Sequence, residues 1–583
     1  MIQRKVEMKM TYPDIWGRGA LFAFSGLDGI NTFEDSMCGQ LLGERIGMMF
    51  DMDTVELYLR LIHTKHFEFS VVASDIILGR LNGKYDFGFI FTEQNTVFGF
   101  GPKQLMAPCC HGDLATEQAL ENGRSFVTKD VAYVFATCEK EEKVFFALSK
   151  AKTVEDAWVH ATKAFETDIE KVTQEKLAYF DKVVYPKHAD ESEKRTIAKC
   201  FSVMKSQVYT PEGIFKQRWT TPDRLPHRRF WLWDSVFHSM GNVYLDPQLA
   251  YESIKSIFDT QADDGFIPHM SSPDTTSEFT QPPVIAWGLY KLYEKTGRKD
   301  WLEENYDALE RYLAWDMKNR DTNHNYLYEW KVNEDDPNCR CDECGMDNSP
   351  RFDNVKPIDS IDFSCYMANE ARYMMKIAEV LGKQDRANEY DKLFHAIKDA
   401  VNSLLYDEED GRYYDREVQS RKLRKVSAVS SFLPLFVGIC TPERAERLVK
   451  DLFDPETYGT AFGVPSISAK DPTFGEDMWR GPVWINYNYF IICGLRDYGY
   501  EQEAERLLAQ TLEEITKWYH KDGVIYEFYD CEQKVSPSQL SRKGPCLKPE
   551  DGNVRIMSIH DYGWSCTFYV TMMMERENGG TFY

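Results

Sequence analysis

The sequence predicts a mainly α chain: an (α/α)6 barrel preceded by a β-sandwich domain and a helical linker. Three observations lead there. The hydrophobic period changes from strand-like to helical near Thr153. Twelve helical segments can be marked from residue 190 onward. The loops between them concentrate rings and polar groups. Twelve helices in pairs suit a closed double ring whose loops converge at one end on a central cavity.

Residues 1–150 are punctuated by Gly, Asn and Asp and carry "VELYLRLI" (55–62), "FEFSVVASDIIL" (67–78), "FGFIF" (87–91), "AYVFATC" (132–138) and "VFFALS" (144–149). Short spacing and partial alternation predict an antiparallel sandwich. "TVEDAWVHATKAFETDIEKVTQEKLAYF" (153–180) has helical spacing without Gly or Pro, so residues 151–189 read as a helical linker. In 190–583 helices are expected near 190–209, 235–243, 246–260, 282–296, 300–319, 360–381, 385–405, 427–437, 442–452, 482–498, 501–517 and 562–577.

Composition narrows the class. With 43% hydrophobic and 14% aromatic residues the 583-residue chain can bury a large core. Its net charge of −24 would repel phosphates, so neither a nucleic acid nor an anionic membrane surface is an expected partner. "MIQRKVEMKMTYPDIWGRG" has no apolar signal core, and no apolar run approaches the roughly 20 residues that span a bilayer. Fourteen cysteines without a signal read as reduced thiols, which makes the cytoplasm the expected compartment.

The chemistry is expected in five loops: "RRFWLWDSVFH" (228–238), "DDGFIPHM" (263–270) with "TQPPVIAW" (280–287), "GMDNSPRFD" (345–353), "MWRGPVWINYN" (478–488) and "DGVIYEFYD" (522–530). Most set a carboxylate, Arg, Asn or Gln beside Trp, Tyr or Phe. Sugar sites use that mixture, polar groups for hydroxyls and rings for stacking. Glycoside hydrolysis needs two carboxyl groups across the scissile bond, one protonated and one ionised. Burial beside rings raises a carboxyl pKa, so an upward shift is expected of the acid. Asp347, on a loop bounded by Gly345 and Pro350, and Glu527, between Tyr526 and Phe528, are the pair of choice. From the residues alone, Asp347 reads more readily as a turn cap and Glu527 as a partly exposed strand or loop acid.

The ordered set "WDSVFH", "IPH", "QPP", "GMDNSPRFD", "WRGPVWIN" and "YEFYD", closing with "DYGWS" (561–565), resembles glycoside hydrolase family 63 over about residues 190–577. That family holds processing α-glucosidases and mannosylglycerate hydrolases and is related to the trehalases. The resemblance implies an (α/α)6 barrel and hydrolysis of a terminal α-linked sugar, an α-glucoside above all, with inversion. It makes Asp347 the general acid and Glu527 the base that activates water. Asp234 and Gln281 are then ligands of the innermost sugar, with Trp233, His269, Arg351, Trp479, Arg480 and Trp484 as lining. Arg351 and Asp353 would also brace the acid's loop, with Glu343 behind it. Where relatives often read Trp-Glu-Ser-Gly, this chain has Asp342-Glu343-Cys344-Gly345.

No cofactor is expected: "VFGFGP" (97–102) and "ENGG" (577–580) do not follow a nucleotide fingerprint. Cys339, Cys341 and Cys344 in "CRCDEC" lack a fourth ligand at finger-like spacing, so they are expected to be thiols rather than a metal site. His238 is expected to be a helix residue rather than a base. The partner is a small glycoside or oligosaccharide, and the oligomeric state is open. Two other readings share the pocket: a glycoside phosphorylase, in which phosphate replaces activated water, and a sugar-binding protein without turnover.

Overall fold

The computed structural model describes residues 12–15, 17–41, 47–51, 55–61, 67–81, 85–102, 106–112, 116–128, 131–141, 143–333, 336, 339–354, 357–543 and 557–577. Ile62 of the expected strand 55–62 and residues 578–580 of "ENGG" lie outside them.

Strands fill the first part of the chain: β1 (Leu21–Ala23), β2 (Cys38–Leu41), β3 (Gly47–Asp51), β4 (Val55–Leu61), β5 (Phe67–Ala73), β6 (Ile76–Leu81), β7 (Tyr85–Glu93), β8 (Thr96–Pro102), β9 (Met106–Gly112), β10 (Thr116–Leu120), β11 (Gly123–Val127), β12 (Ala132–Lys140) and β13 (Lys143–Ala151). They form two antiparallel sheets, ordered β1-β2-β3-β4-β9 and β10-β11-β12-β13-β8-β7-β6-β5. The period of two in "FGFIF" puts Phe87, Phe89 and Phe91 on one face, where Phe91 meets Phe22 of the first sheet at 4.9 Å. The other face is buried as well. Ile90 and Phe100 pack on Leu177 and Phe180, while Phe98, Val134 and Ala147 pack on Ala157 and Ala161. Burial on both faces explains why the alternation in the sequence is only partial. Gly99 is obligatory in this stack, since a Cβ there would lie 2.0 Å from the Phe146 ring.

The helical stretch expected over 153–180 divides into α1 (Val154–Lys163) and α2 (Ile169–Asp181). Asp168 ends the run by capping α2, its carboxylate accepting from Lys171 N at 3.1 Å. Both helices cover the second sheet rather than standing free.

Among the described residues twelve α-helical segments follow: α3 (Glu191–Ser206), α4 (Leu232–Asn242), α5 (Pro247–Asp259), α6 (Ile285–Thr296), α7 (Lys299–Arg320), α8 (Ile361–Val380), α9 (Gln384–Leu404), α10 (Leu433–Phe436), α11 (Pro442–Leu452), α12 (Ile485–Asp497), α13 (Glu501–Asp522) and α14 (Gly563–Glu577). α4 touches α6, α6 touches α8, and the contacts continue through α10, α12 and α14 back to α4. α5, α7, α9 and α13 lean on this cycle. Burial follows the same division: every residue of α4 is buried, whereas α7 and α9 bury one face. The expected helix at 427–437 is mostly a 3-10 turn, Val429–Phe432, leading into the four residues of α10.

Buried charges join the two parts. Lys176 of α2 and Lys205 of α3 reach Asp75 of the β5–β6 turn at 2.9 and 2.6 Å. Asp561 accepts from Leu21 N of β1 at 2.7 Å, from Lys199 of α3 at 2.7 Å and from Ile525 N at 3.1 Å, so the strand region reaches the loop that carries Glu527. Among the described residues no helix is long and apolar enough to cross a membrane.

Candidate active site

The loops before α4, α6, α8, α12 and α14 bring chain-distant residues to one end of the helical cycle, where they line a cavity of about 500 Å³. Seven of the ten expected residues lie on its wall: Asp234, Trp233, His269, Gln281, Asp347, Trp484 and Glu527. Trp233 and Asp234 stand in the first turn of α4, and Trp484 caps α12. Gln281 accepts from Trp233 N at 3.1 Å, tying two of these loops. Gly345 lets a third approach: its φ is +70°, and a Cβ would meet the Trp233 ring at 2.3 Å.

Arg351, Trp479 and Arg480 are outside the lining. Arg351 is buried in a double fork, paired to Asp362 at 2.6 and 2.9 Å and to Asp415 at 2.8 and 2.7 Å. Five donors in a planar fork find better acceptors in two carboxylates than in a sugar. Trp479 stacks flat behind Trp484, centroids 3.8 Å apart, and donates its backbone N–H to Asn348 at 3.0 Å. Arg480 binds Asp353 at 2.6 Å. All three hold the wall from behind. Glu343 does likewise, accepting from Lys331 N at 2.7 Å and pairing with Arg320.

The two carboxylates of interest each carry a cation. Glu527 is 1% exposed and meets Arg542 Nε at 2.9 Å and Nη2 at 3.1 Å, with Ile559 N donating at 3.2 Å. His227, also on the cavity wall, stands 2.6 Å from Asp223 and 3.5 Å from Arg542. Lys543, the next residue, pairs with Asp347 at 2.7 Å. Burial, the largest influence on the Asp347 carboxyl, raises its pKa, but Lys543 and Arg542 together outweigh it and hold the group below the ordinary carboxylate value. An acid shifted up by burial was the expectation, and the lysine reverses the sign. Asp234 goes the other way. Burial first, then the Asp223 and Glu527 charges, raise its pKa well above the ordinary value.

Sequence reasoning missed Arg542 and Lys543. "SPSQLSRKGP" reads as a polar surface loop, and nothing in its spacing points back to Glu527 or Asp347. Trp231, Tyr562 and Trp564 are also lining residues without an expected role, although "DYGWS" was part of the family pattern. Four of the lining residues carry unpartnered buried polar atoms: Trp231 Nε1, Asp234 Oδ1, Arg542 Nη1 and Trp564 Nε1. Three donors and one acceptor, flanked by the rings of Trp233, Trp484 and Trp564, suit a ligand dense in hydroxyls.

His269 Nδ1 lies 2.5 Å from Ser277 Oγ, and burial lowers its pKa to about 4, so the ring is neutral at physiological pH. His238 is enclosed in α4, its Nδ1 2.9 Å from Thr220 Oγ1, and lies off the cavity wall. Cys339 donates to Asp342 at 2.6 Å, and Cys341 and Cys344 are buried thiols. Among the described residues no three His, Cys, Asp or Glu side chains gather as metal ligands.

A closed cycle of helices with two carboxylates in a ring-lined polar cavity at one end suits one class of protein, the glycoside hydrolases. Comparison with known proteins agrees with that class. Residues 227–534 match the mannosylglycerate hydrolase MGH1-like glycoside hydrolase domain, and the chain belongs to that family, within glycoside hydrolase family 63. A Rubrobacter radiotolerans mannosylglycerate hydrolase is 26% identical over 408 residues, covering 53% of this chain and 86% of that protein. An uncharacterized Borreliella burgdorferi protein is 31% identical over 253 residues, 42% of this chain, and the match spans only 50% of that protein. A bacterial glucoamylase solved with acarbose shares the fold over 98% of this chain and 97% of its own, at TM-score 0.61 and 10% identity.

Proposed function

We propose that the chain is an inverting α-glycosidase that releases a terminal α-linked sugar, an α-glucoside first, from a small glycoside or oligosaccharide. Its catalytic unit is an (α/α)6 barrel over 190–583, after a β-sandwich domain (1–150) and a helical linker (151–189), and it works in the cytoplasm. What carries the reading is the cavity wall, where Asp347 and Glu527 stand together with four unpartnered polar atoms. In the reaction Asp347 gives its proton to the leaving oxygen as the glycosidic C–O bond breaks. Glu527 takes a proton from a water that attacks the anomeric carbon from the opposite face. Arg542 fixes the direction of the Glu527 carboxylate through its two-point contact.

Asp347 must be protonated to act, so Lys543 has to yield. A leaving group seated between them separates the pair, and burial then raises the carboxyl pKa. Replacing Lys543 with Gln is expected to move the alkaline limb of kcat/KM to higher pH. The sign follows because activity needs the protonated acid and Lys543 favours the ionised one. The other groups that bear on Asp347 are Arg542, His269, Asp342 and Cys339. An unmoved limb, measured over the full pH range, would remove Lys543 from this role.

Proton NMR of the purified protein with α-glucosides and α-mannosides tests the whole reading. Early β-anomer is the expected product. Early α-anomer would contradict inversion, and no release across the panel would favour sugar binding without turnover. Two cations in the cavity wall, Arg542 and Lys543, give a phosphorylase a specific foothold. Turnover without added phosphate is the expected result and would dismiss it.

A further inference from the structure

Next to the cavity runs an open groove of about 540 Å³, walled by Phe266, Trp315, Asp263, Asp264, Ser277 and Glu278. Ser277 and Glu278 belong to the cavity wall as well, so the two spaces share a rim. We propose that this groove is a second sugar subsite, in which Trp315 and Phe266 form a platform for a neutral pyranose ring of the aglycone. The proposal rests on the α-glycosidase reading and extends it to an oligosaccharide-type substrate.

The platform is built rather than incidental. Trp315 and Phe266 have ring centroids 4.9 Å apart and are tilted by 52°, each only half-buried. The indole N–H donates to Asp264 Oδ2 at 3.2 Å, and the other oxygen of that carboxylate accepts from Phe266 N at 3.1 Å. Arg320, itself paired with the buried Glu343, lies over one face of the indole, 5.0 Å from its centroid, and fixes the ring so that a sugar would stack on the other face. Gln261 ties the loop to α7 by donating to Ala308 O at 2.9 Å, and Gly265, with φ +101°, passes so close to Arg311 O that a Cβ would lie 2.3 Å away. A preset indole loses little freedom when a ring stacks on it.

Position assigns the groove to the aglycone. Ser277 touches His269, and His269 feels the charge of Asp347, so the shared rim is on the acid's side of the cavity, where the leaving group departs. Chemistry assigns a neutral ring. The C–H face of a pyranose suits the indole, and Asp263 and Glu278, both exposed, can accept its hydroxyls. The same acids would repel a carboxylated or phosphorylated unit.

The test compares the wild-type chain with Trp315→Ala and Trp315→Phe on methyl α-glycosides and on α-linked trisaccharides of the same sugar. Trp315→Ala is expected to lower kcat/KM for the trisaccharide about three- to tenfold, the range of one lost aromatic contact. The methyl glycoside should be unaffected, and Trp315→Phe should keep most of the trisaccharide rate. Equal loss on both substrates, or none on either, would overturn the subsite. If the wild type turns over neither, the α-glycosidase reading fails instead, and the subsite is judged by trisaccharide binding to the wild-type chain. Weaker binding after Trp315→Ala supports it, and unchanged binding overturns it.

Discussion

Asp347→Asn and Glu527→Gln are each expected to reduce turnover by about a hundredfold or more, the scale of a lost acid or base. The structure separates the two variants in a way the sequence does not. Asp347 is 18% exposed at its side chain and Lys543 22%, so Asn at 347 leaves a cation that water can reach. The Glu527 and Arg542 side chains are almost fully buried, so Gln at 527 leaves a buried guanidinium without its countercharge. That loss is expected to cost about 3–5 kcal/mol in addition to activity. Rates are therefore to be compared well below each variant's unfolding temperature. An activated aryl glycoside, whose leaving group departs without a proton, resolves the roles. It should restore much of the rate in Asp347→Asn and none in Glu527→Gln. The opposite pattern would exchange the assignments, and near-normal turnover in either variant would remove that residue from the chemistry.

Arg351→Ala is expected to destabilise the protein by about 3–5 kcal/mol while leaving KM nearly unchanged for the protein that remains folded. Two buried carboxylates, Asp362 and Asp415, would lose their shared cation. Asp362 also accepts from Trp330 Nε1 at 2.9 Å, and Asp415 from Ile361 N at 3.0 Å, so the damage would spread to the start of α8. Lysine would not substitute, because one ammonium cannot face both carboxylates in plane. Denaturant unfolding together with steady-state kinetics checks the claim. A raised KM without a loss of stability would return Arg351 to the substrate.

Two features of the site explain what reading the sequence could and could not reach. Carboxylates beside rings on helix-connecting loops are a local signal that nominates Asp347 and Glu527, and the family pattern, not the Gly345–Pro350 frame, prefers a catalytic role for Asp347 over a turn cap. Arg542 has no such mark: its meaning lies in being brought to Glu527, and the intervening chain is a polar loop of ordinary composition. Trp479 and Trp484 show the converse. Both sit in one motif with similar neighbours, yet only one ring faces the cavity, because the flat stack at 3.8 Å leaves a single outer face.

The sequence by itself determined the period change near residue 153 and the succession of helical segments, because each is written in local spacing and local composition; the two carboxylates it offered only as candidates, which the family pattern singled out. Tertiary structure decided which charges face one another. It paired Lys543 with Asp347 and so turned the expected upward shift of that acid downward. It also withdrew Arg351, Trp479 and Arg480 behind the wall and brought Arg542 and Trp564 into it. The physical reason is range: periodicity is fixed within a few residues, whereas a carboxyl group's pKa answers to every charge within several ångströms, wherever in the chain it originates.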